Sequence, residues 1–293
     1  MDDFYLRMAE NYGSWVVHLS AVFGLLVGSF LNVVIYRLPV MMERESTLLA
    51  KEHLAIEPTE AERQPFSLTK PASRCPKCGH AVKPWQNIPV VSYLPLRGKC
   101  GHCRTPISMR YPAIEILTAC MFAAVAVRYG WSWLTLAGLV FTAMLIALTF
   151  IDADTQYLPD ELTLPLIWLG LLANYGGNGL VSLQQAVVGA VCGYMSLRLL
   201  NAAHKAVRGI DGMGGGDWKL LAALGAWLGA AVLLVVVFAA AIVGCVAALV
   251  MRVRQKEPMA FGPCLAVAGW LVFICYDKVS AGIRWWLHMS GLS

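Results

Sequence analysis

Long apolar runs separated by short polar stretches make up most of the chain after residue 111, and one further run lies near its start. A helix that crosses a bilayer needs roughly 20 mostly apolar residues. Seven runs come near or exceed that length: 15–36, 112–128, 132–151, 158–175, 182–203, 218–250 and 262–283. The run 218–250 is too long for one crossing, because at ~1.5 Å per residue it would reach roughly 50 Å. The glycines at Gly225 and Gly229 mark the predicted break. The pattern therefore predicts an all-α polytopic membrane protein with about eight transmembrane helices.

Composition agrees with a membrane location. Hydrophobic residues make up 58% of the chain and charged residues 14%, with a mean hydropathy of +0.61, which is unlike a soluble protein. The exception is the stretch 39–111, which holds eleven of the 23 lysines and arginines, so the positive-inside rule places it in the cytoplasm. We therefore divide the chain into an N-terminal transmembrane helix (1–38), a cytoplasmic loop (39–111) and a membrane-embedded domain of seven helices (112–293).

The charges between the runs give a consistent orientation. The first ten residues carry three acidic residues and one arginine and go outside. The first run lacks a small-residue cleavage site, so we interpret it as a retained helix. Counting crossings from there places 152–157, 204–217 and 252–256 on the cytoplasmic side, and the last two stretches carry lysines and arginines as the rule requires. Arg128, on the outer side, is an exception. The net charge of +5 reflects this orientation, and because the basic residues lack interleaved aromatic residues we predict no nucleic-acid site.

Four of the nine cysteines form two pairs, Cys75-Pro76-Lys77-Cys78 and Cys100-Gly101-His102-Cys103. Each Cys-x-x-Cys pair presents two thiolates to one metal ion, and two pairs complete a tetrahedral site at a spacing typical of structural zinc. A redox pair or an iron–sulfur site is the alternative. Four thiolates leave no open position, so the metal would stabilise the loop without activating water. His80 and His102 are possible substitute ligands, and we interpret the five single cysteines as small buried apolar residues.

Acidic residues are scarce, and two acidic motifs lie at the predicted cytoplasmic ends of helices. Asp152 closes the run 132–151, and Asp217 follows three glycines at the start of the run 218–250. Carboxylates at the ends of membrane helices indicate a functional site, and a pair of them suggests an aspartyl protease with one protonated and one ionised carboxyl group. We expect the glycines to allow a backbone path closed to other residues and close approach of a peptide. An N-cap role is the alternative for Asp217.

The remaining acids of these motifs have simpler explanations. Asp160 follows Pro159 at the start of a predicted helix, where it complements the helix dipole. Asp154 is interpreted as a capping or solvated group, and Asp211 as an ordinary loop residue.

Several stretches, spread over nearly the whole chain, carry a resemblance to a known family. They are 28–39, the cysteine loop with Asn87-Ile88-Pro89 and Ser92-Tyr93-Leu94, Arg110-Tyr111-Pro112 with Glu115, 152–160, 212–219 and Phe261-Gly262-Pro263. Together they resemble the type IV prepilin peptidases, bifunctional leader peptidases and N-methyltransferases of pilus and type II secretion systems. The resemblance implies that the catalytic pair is Asp152 and Asp217. It also implies that the cysteine loop is the zinc-containing form found in part of the family.

The resemblance further implies the substrates and the second reaction. Prepilins and pseudopilins carry a short basic leader that ends in Gly and precedes a hydrophobic helix, so cleavage would occur at the cytoplasmic face of the bacterial inner membrane. S-adenosyl-L-methionine would then methylate the new N-terminal amine. The residues that bind this methyl donor are unknown: Asn32, Arg37, Glu115 and Asn174 are candidates, although we favour roles in interhelical hydrogen bonds.

Two other functions are weighed against this one. A proton-coupled membrane transporter would also place acids in membrane helices, but near the midplane and in repeated halves, whereas these acids lie at one interface and no repeat is evident. A zinc hydrolase would need an open metal position and a His-Glu-x-x-His helix, and the sequence has neither.

Overall fold

The computed structural model describes residues 2–75, 77–82, 89–90, 93, 96, 98–251 and 260–291, with side chains for those from residue 14 on except 251. Within these ranges the chain consists of helices and two isolated β-bridges, without a β-strand, which confirms the all-α class.

The chain divides into two compact units, residues 1–127 and 128–293. The helices are α1 (Asp2–His53), α2 (Glu60–Arg63), α3 (Arg110–Tyr129), α4 (Trp133–Thr155), α5 (Asp160–Ala173), α6 (Leu183–Arg208), α7 (Gly215–Leu228), α8 (Leu233–Met251), α9 (Gly262–Ile274) and α10 (Tyr276–Met289).

Every apolar run predicted from the sequence is helical, and the break near Gly229 is confirmed, since α7 ends at Leu228. Among the described helices, five are long and apolar enough to cross a membrane, or six if α9 and α10 count as one bent span. The chain is thus a multi-pass membrane protein, while the count of eight crossings stays a prediction. Three helices fall short: α5, α7 and α9 have 14, 14 and 13 residues, which is about 20 Å each at 1.5 Å per residue.

The first helix extends well beyond its predicted end. α1 continues through Pro39 to His53, although hydropathy predicted the end of the helix near residue 36 and a loop from residue 39. The extension is polar but rich in residues that favour helices, such as Glu43, Leu48 and Ala50. Hydropathy detects the apolar part of a helix only, so it missed this part.

Side chains of α1 order the polar segment that follows. Lys51 contacts both carboxylate oxygens of Glu62 at 2.6 and 2.7 Å, and these hydrogen bonds lower the pKa of Glu62 to about 2. Arg37, which is buried, donates hydrogen bonds to the carbonyl groups of Ser67 (2.8 Å) and Pro71 (2.7 Å). The segment 59–71 is therefore held to α1 by charged side chains.

Helices α1 and α3 pack closely through glycines. A Cβ atom added at Gly24 would lie 2.7 Å from the Ala119 Cα atom, and one added at Gly28 would lie 2.7 Å from the Glu115 Cα atom. Asn32 donates a hydrogen bond to the carbonyl group of Tyr111 (3.2 Å) at the start of α3. Close contact between backbones is typical of helix pairs in membranes.

The second unit packs around α7. Gly189 of α6 and Gly225 of α7 lie face to face, because a Cβ atom added at either glycine would be within 2.2 Å of the carbonyl oxygen of the other. Trp227 is buried and donates a hydrogen bond to the carbonyl group of Leu166 (2.9 Å). Its ring packs at a tilt on Phe141 and edge-on against Phe273. Ten of the 14 residues of α7 are buried, so this short helix forms the core of the unit.

The sequence predicted one helix over 262–283, and this is wrong: α9 and α10 meet at Cys275 with a bend of 86°. Arg128 explains the bend, since it donates a hydrogen bond to the carbonyl group of Ile274 (3.0 Å) and forms an ion pair with Asp277. The carbonyl group of Phe273 also accepts a hydrogen bond from the Tyr129 hydroxyl. Arg128, the cation that the predicted topology left as an exception, therefore has a structural partner.

Candidate active site

Asp152 lies in the last turn of α4. Its main-chain carbonyl group accepts a hydrogen bond from the N–H of Gln156 (2.8 Å), which has a left-handed conformation (φ 54°) and ends the helix. The side chain is only 5% exposed, and its Oδ2 atom finds no hydrogen-bond partner among the described residues. A buried oxygen without a partner is costly and rare in folded proteins, so it indicates a functional position.

Asp217 is the third residue of α7 and is 9% exposed. The N-cap position belongs to Gly214, so the alternative interpretation of Asp217 as an N-cap residue is wrong. A carboxylate in the first turn of a helix is favoured by the helix dipole, which offsets part of the cost of its burial.

The two carboxylates, far apart in sequence, are close enough for a Coulombic interaction. The buried Cys264 of α9 lies near both carboxyl groups. Gly262, which begins α9, lies against Asp152: a Cβ atom added there would be 2.4 Å from Oδ2. The end of α4 and the starts of α7 and α9 thus meet at one place, and this place holds both residues that the sequence singled out.

The glycines before Asp217 have a different role from the one expected. Gly212, Gly214, Gly215 and Gly216 do not have positive φ angles, so their backbone path is open to other residues, and that expectation is wrong. Gly216 is instead needed for close packing, since a Cβ atom there would lie 2.5 Å from the Leu158 Cβ atom. Around Gly214 no atom lies within 4 Å of an added Cβ atom, which leaves its backbone accessible.

An ion pair links the two acidic motifs. The Lys219 Nζ atom lies 2.6 and 2.7 Å from the two carboxylate oxygens of Asp160, while Asp160 also begins α5 as predicted. The description of Asp160 as only a helix-start residue is therefore incomplete. Asp154 is exposed.

A second network holds the loop between α6 and α7. The Asn201 side chain accepts hydrogen bonds from the N–H groups of Gly212 (2.9 Å) and Met213 (3.1 Å) and donates one to Asp211 (3.1 Å). Lys205 donates a hydrogen bond to Asp211 (2.8 Å), and this contact holds the pKa of Asp211 below its ordinary value. The interpretation of Asp211 as an ordinary loop residue is therefore wrong, since it helps to anchor the loop that leads to Asp217.

The paired cysteines come together as predicted. The Sγ atoms of Cys75, Cys78, Cys100 and Cys103 all lie within 4.8 Å of one another, and all four cysteines are free of disulfides. The distance between the Cys75 and Cys103 Sγ atoms is 3.8 Å, and a tetrahedral site with Zn–S bonds of ~2.3 Å has sulfur atoms ~3.8 Å apart. The cluster therefore fits a structural zinc ion.

Each cysteine pair lies in the same local structure. A β-bridge flanks each pair, Arg74 with Ala81 and Lys99 with Pro106. In each pair the main-chain carbonyl group of the first cysteine accepts a hydrogen bond from the residue four positions later, at 2.9 and 3.0 Å. The rings of His80 and His102 stack on one another at 4.6 Å.

The single cysteines divide into two groups. Cys264 is buried as predicted, but Cys120, Cys192, Cys245 and Cys275 are exposed, so the interpretation of all five as buried residues is wrong for these four. In a membrane protein an outward-facing thiol meets lipid and not water, and apolarity in the sequence does not tell one environment from the other.

Comparisons with known proteins agree with the site. Residues 22–129 match the family profile described as Bacterial Peptidase A24 N-terminal domain, and residues 139–249 match the Type IV leader peptidase family. The chain is 60% identical to the prepilin leader peptidase/N-methyltransferase of Neisseria gonorrhoeae, over 93% of this chain and 95% of the relative. The chain belongs to the type IV leader peptidase family.

Other members of this family are also similar over nearly their whole length. The proteins of the same name from Pseudomonas aeruginosa and Dichelobacter nodosus are 47% and 50% identical, over 93% and 88% of this chain and 93% and 91% of the relatives. No solved structure matches the chain.

The polar residues of the family-like stretches have protein partners. Asn32 and Arg37 bond to main-chain carbonyl groups as described above, and Glu115 accepts a hydrogen bond from the N–H of Val90 (2.7 Å). Asn174 donates hydrogen bonds to the carbonyl groups of Ala226 (2.9 Å) and Trp227 (3.2 Å). Residues 87–88, 92 and 94 of the motifs, and the basic stretch 252–256, lie outside the described residues.

Sequence reasoning missed Lys219 and Asn201. For Lys219 a signal was present, because charges are scarce in this chain and a charge near a membrane helix is usually paired. For Asn201 no signal was present in the sequence, since a single asparagine in an apolar helix does not indicate what it contacts.

Proposed function

We propose that this chain is an aspartic endopeptidase that removes the leader peptide of type IV prepilins and of type II secretion pseudopilins. It then methylates the new N-terminal residue with S-adenosyl-L-methionine. Asp152 and Asp217 form the catalytic pair, and the reaction takes place at the cytoplasmic face of the bacterial inner membrane.

One observation carries the peptidase proposal: two buried carboxyl groups from separate motifs lie where three helix ends meet, and Asp152 Oδ2 has no hydrogen-bond partner among the residues that the structure describes. The other acids of the two motifs are exposed or have basic partners. A carboxylate oxygen left without a protein donor is suited to hold a water molecule. The names of the relatives give the reaction and the substrate.

The chemistry follows from two neighbouring carboxyl groups that share one proton. The ionised carboxylate accepts a proton from water as the water oxygen attacks the carbonyl carbon of the last leader residue. The protonated carboxyl group donates its proton to the carbonyl oxygen, which gives a neutral tetrahedral intermediate. When the C–N bond breaks, the proton taken from water passes to the departing amine, and one hydroxyl group of the intermediate returns its proton to the carboxylate that had donated one. The leader then leaves as an acid and the mature protein has a free N-terminus.

The methyl donor supplies a methyl group to this amine. The polar residues considered for its binding do not provide an obvious site, because Asn32, Arg37, Glu115 and Asn174 all bond to the protein itself. We therefore assign no residue to the methyl donor. Methylation is proposed from the names of the relatives.

Zinc, by contrast, fits its predicted ligands. Cys75, Cys78, Cys100 and Cys103 would hold it, and because all four positions are protein ligands the ion would cross-link the loop without activating water. This division of roles is proposed for three parts of the chain: a transmembrane helix at 1–38, a cytoplasmic part at 39–111, in which α1 continues to His53 before the zinc loop, and a catalytic membrane domain at 112–293.

The cytoplasmic location of the site is supported by charge. α6 ends with Lys205 and Arg208, immediately before the loop that leads to Asp217, and cytoplasmic loops are enriched in such residues. A prepilin leader that remains in the cytoplasm would reach the carboxyl pair from this side.

The test uses the full-length enzyme in nanodiscs with a prepilin precursor, with and without S-adenosyl-L-methionine. Mass spectrometry of the N-terminus scores cleavage and methylation together. Asp152→Asn and Asp217→Asn should each abolish cleavage, because the pair needs both ionisable groups, while a pre-cleaved pilin should still be methylated. The control Asp154→Asn, an exposed acid two residues from Asp152, should cleave normally. Wild-type cleavage by either of the first two variants would refute the assignment.

A further inference from the structure

The start of α7 is held on one face by a single short segment. Gly216 and Lys219 are three positions apart on the helix and therefore lie on the same face. Leu158 packs on Gly216, and Asp160 binds Lys219. Leu158 belongs to the connection between α4 and α5, which begins four residues after Asp152, and Asp160 is the first residue of α5.

Asp217 does not share this face. Successive residues of an α-helix are about 100° apart, so Asp217 and Lys219 project about 200° apart around α7. Lys219 thus binds Asp160 on one side while Asp217 is presented on the other, where its charged neighbour is Asp152.

We propose that Lys219 and Asp160 are positioning residues for the peptidase reaction, which set the location of Asp217 relative to Asp152. The ion pair fixes the start of α5, and hence the connection from Asp152, to the start of α7. This role rests on the proposed function of the carboxylate pair. Neither residue touches the reacting atoms, so neither is a catalytic residue.

The geometry favours positioning over a contribution to overall stability. The side chains of Lys219 and Asp160 are 27% and 45% exposed, and ion pairs exposed to this extent contribute little to the stability of a fold. The lysine nevertheless contacts both oxygens of the carboxylate at short distances, which restricts the relative position of the two helix starts. Small displacements of catalytic groups reduce rates strongly.

The experiment compares kcat and KM for prepilin cleavage by the full-length enzyme in nanodiscs. Lys219→Gln and Asp160→Asn should each lower kcat by about ten- to a hundredfold, with KM and the thermal unfolding midpoint close to wild type. Lys219→Arg keeps the charge and the pairing, and should restore kcat to within about threefold of wild type. Lys51→Gln is the matched control, because Lys51 contacts both oxygens of Glu62 at the same 2.6 and 2.7 Å, and it should leave kcat unchanged.

A wild-type kcat in Lys219→Gln would overturn the positioning role. An equal loss of kcat in Lys219→Gln and Lys219→Arg would overturn it as well. If the neutral variants unfold at lower temperature, the double variant Asp160→Lys with Lys219→Asp is measured, because it exchanges the two charges and can form the ion pair again. Folding and kcat restored in the double variant support the positioning role of the ion pair, and a double variant that stays inactive or unfolded refutes that role.

Asp217→Asn is measured in parallel. Cleavage by Asp217→Asn would refute the proposed function, whereas an inactive Asp217→Asn beside a normal Lys219→Gln refutes the positioning role alone.

Discussion

Leu158 packs against the main chain of Gly216, so closely that a Cβ atom built on this glycine would lie 2.5 Å from the Leu158 Cβ atom. The contact joins the segment after Asp152 to the residue before Asp217. Glycine is required there by space and not by backbone conformation.

Gly216→Ala should therefore damage the enzyme. The added methyl group forces Leu158 and α7 apart, which by the usual cost of overpacking lowers the free energy of unfolding by about 1–3 kcal/mol. The displacement of Asp217 should lower kcat at least about tenfold. Gly215→Ala is the control, because an added Cβ atom there meets only Trp218 at 3.4 Å. Equal kcat values for the two variants would contradict the packing explanation.

Gly262→Ala should act on Asp152 directly. A Cβ atom at Gly262 would lie 2.4 Å from Asp152 Oδ2, so the carboxylate must rotate away from its position. We expect a loss of kcat of at least about tenfold, measured by mass spectrometry of the cleaved pilin, while the protein remains folded. Gly282→Ala in α10, where no atom lies within 4 Å of an added Cβ atom, should have no effect. A fully active Gly262→Ala enzyme would show that this contact is unimportant.

Asn201→Ala should release the loop before Asp217. The change leaves the N–H groups of Gly212 and Met213 without their side-chain acceptor, and each such hydrogen bond contributes about 0.5–1.5 kcal/mol to stability. Hydrogen exchange at residues 209–214 should accelerate and kcat should fall. The same substitution at the exposed Asn178 should change neither quantity. Unchanged exchange in Asn201→Ala would mean that other contacts order the loop.

The apolar pattern was sufficient for the class of fold and for the position of nearly every helix in the membrane-embedded part. It failed where a helix leaves the apolar environment, as in the extension of α1 to His53. It also failed at Cys275, where the bend depends on contacts from Arg128 and Tyr129, more than a hundred residues away. Local sequence carries no information about such partners.

The residues of the candidate site also fall into two groups, those that the sequence could predict and those that depend on distant contacts. Asp152, Asp217 and the four paired cysteines were identified because their chemistry is distinctive and their spacing is short or occurs in known motifs. Lys219, Asn201 and Gly262 act through contacts between segments far apart in the chain. An ordinary residue type reveals such a role only when the folded chain shows what it touches.

The cysteine cluster predicts one zinc ion per chain. Metal analysis of the purified enzyme should find it, with Zn–S distances of ~2.3 Å by X-ray absorption. Replacing any one of Cys75, Cys78, Cys100 and Cys103 by Ser should lower the zinc content and make residues 59–109 more sensitive to proteolysis, since metal binding contributes to the folding of such loops. Cleavage should fall but not vanish, because the ion is not catalytic.

The control for the zinc variants is Cys120→Ser, an exposed single cysteine, which should keep full zinc content. An enzyme without zinc, or one with two disulfides among these four cysteines, would refute both the metal assignment and the cytoplasmic location of the loop.

The short helices around the carboxylate pair have a consequence for the bilayer itself. α5, α7 and α9 each reach about 20 Å, against a hydrocarbon thickness of ~30 Å. Beside helices that are too short to span it, the bilayer becomes locally thinner, or water fills the remaining depth. Asp217 lies in the first turn of α7, and α9 begins beside Asp152. A bilayer that is thinner around these short helices would bring water closer to the two carboxylates than longer helices would allow.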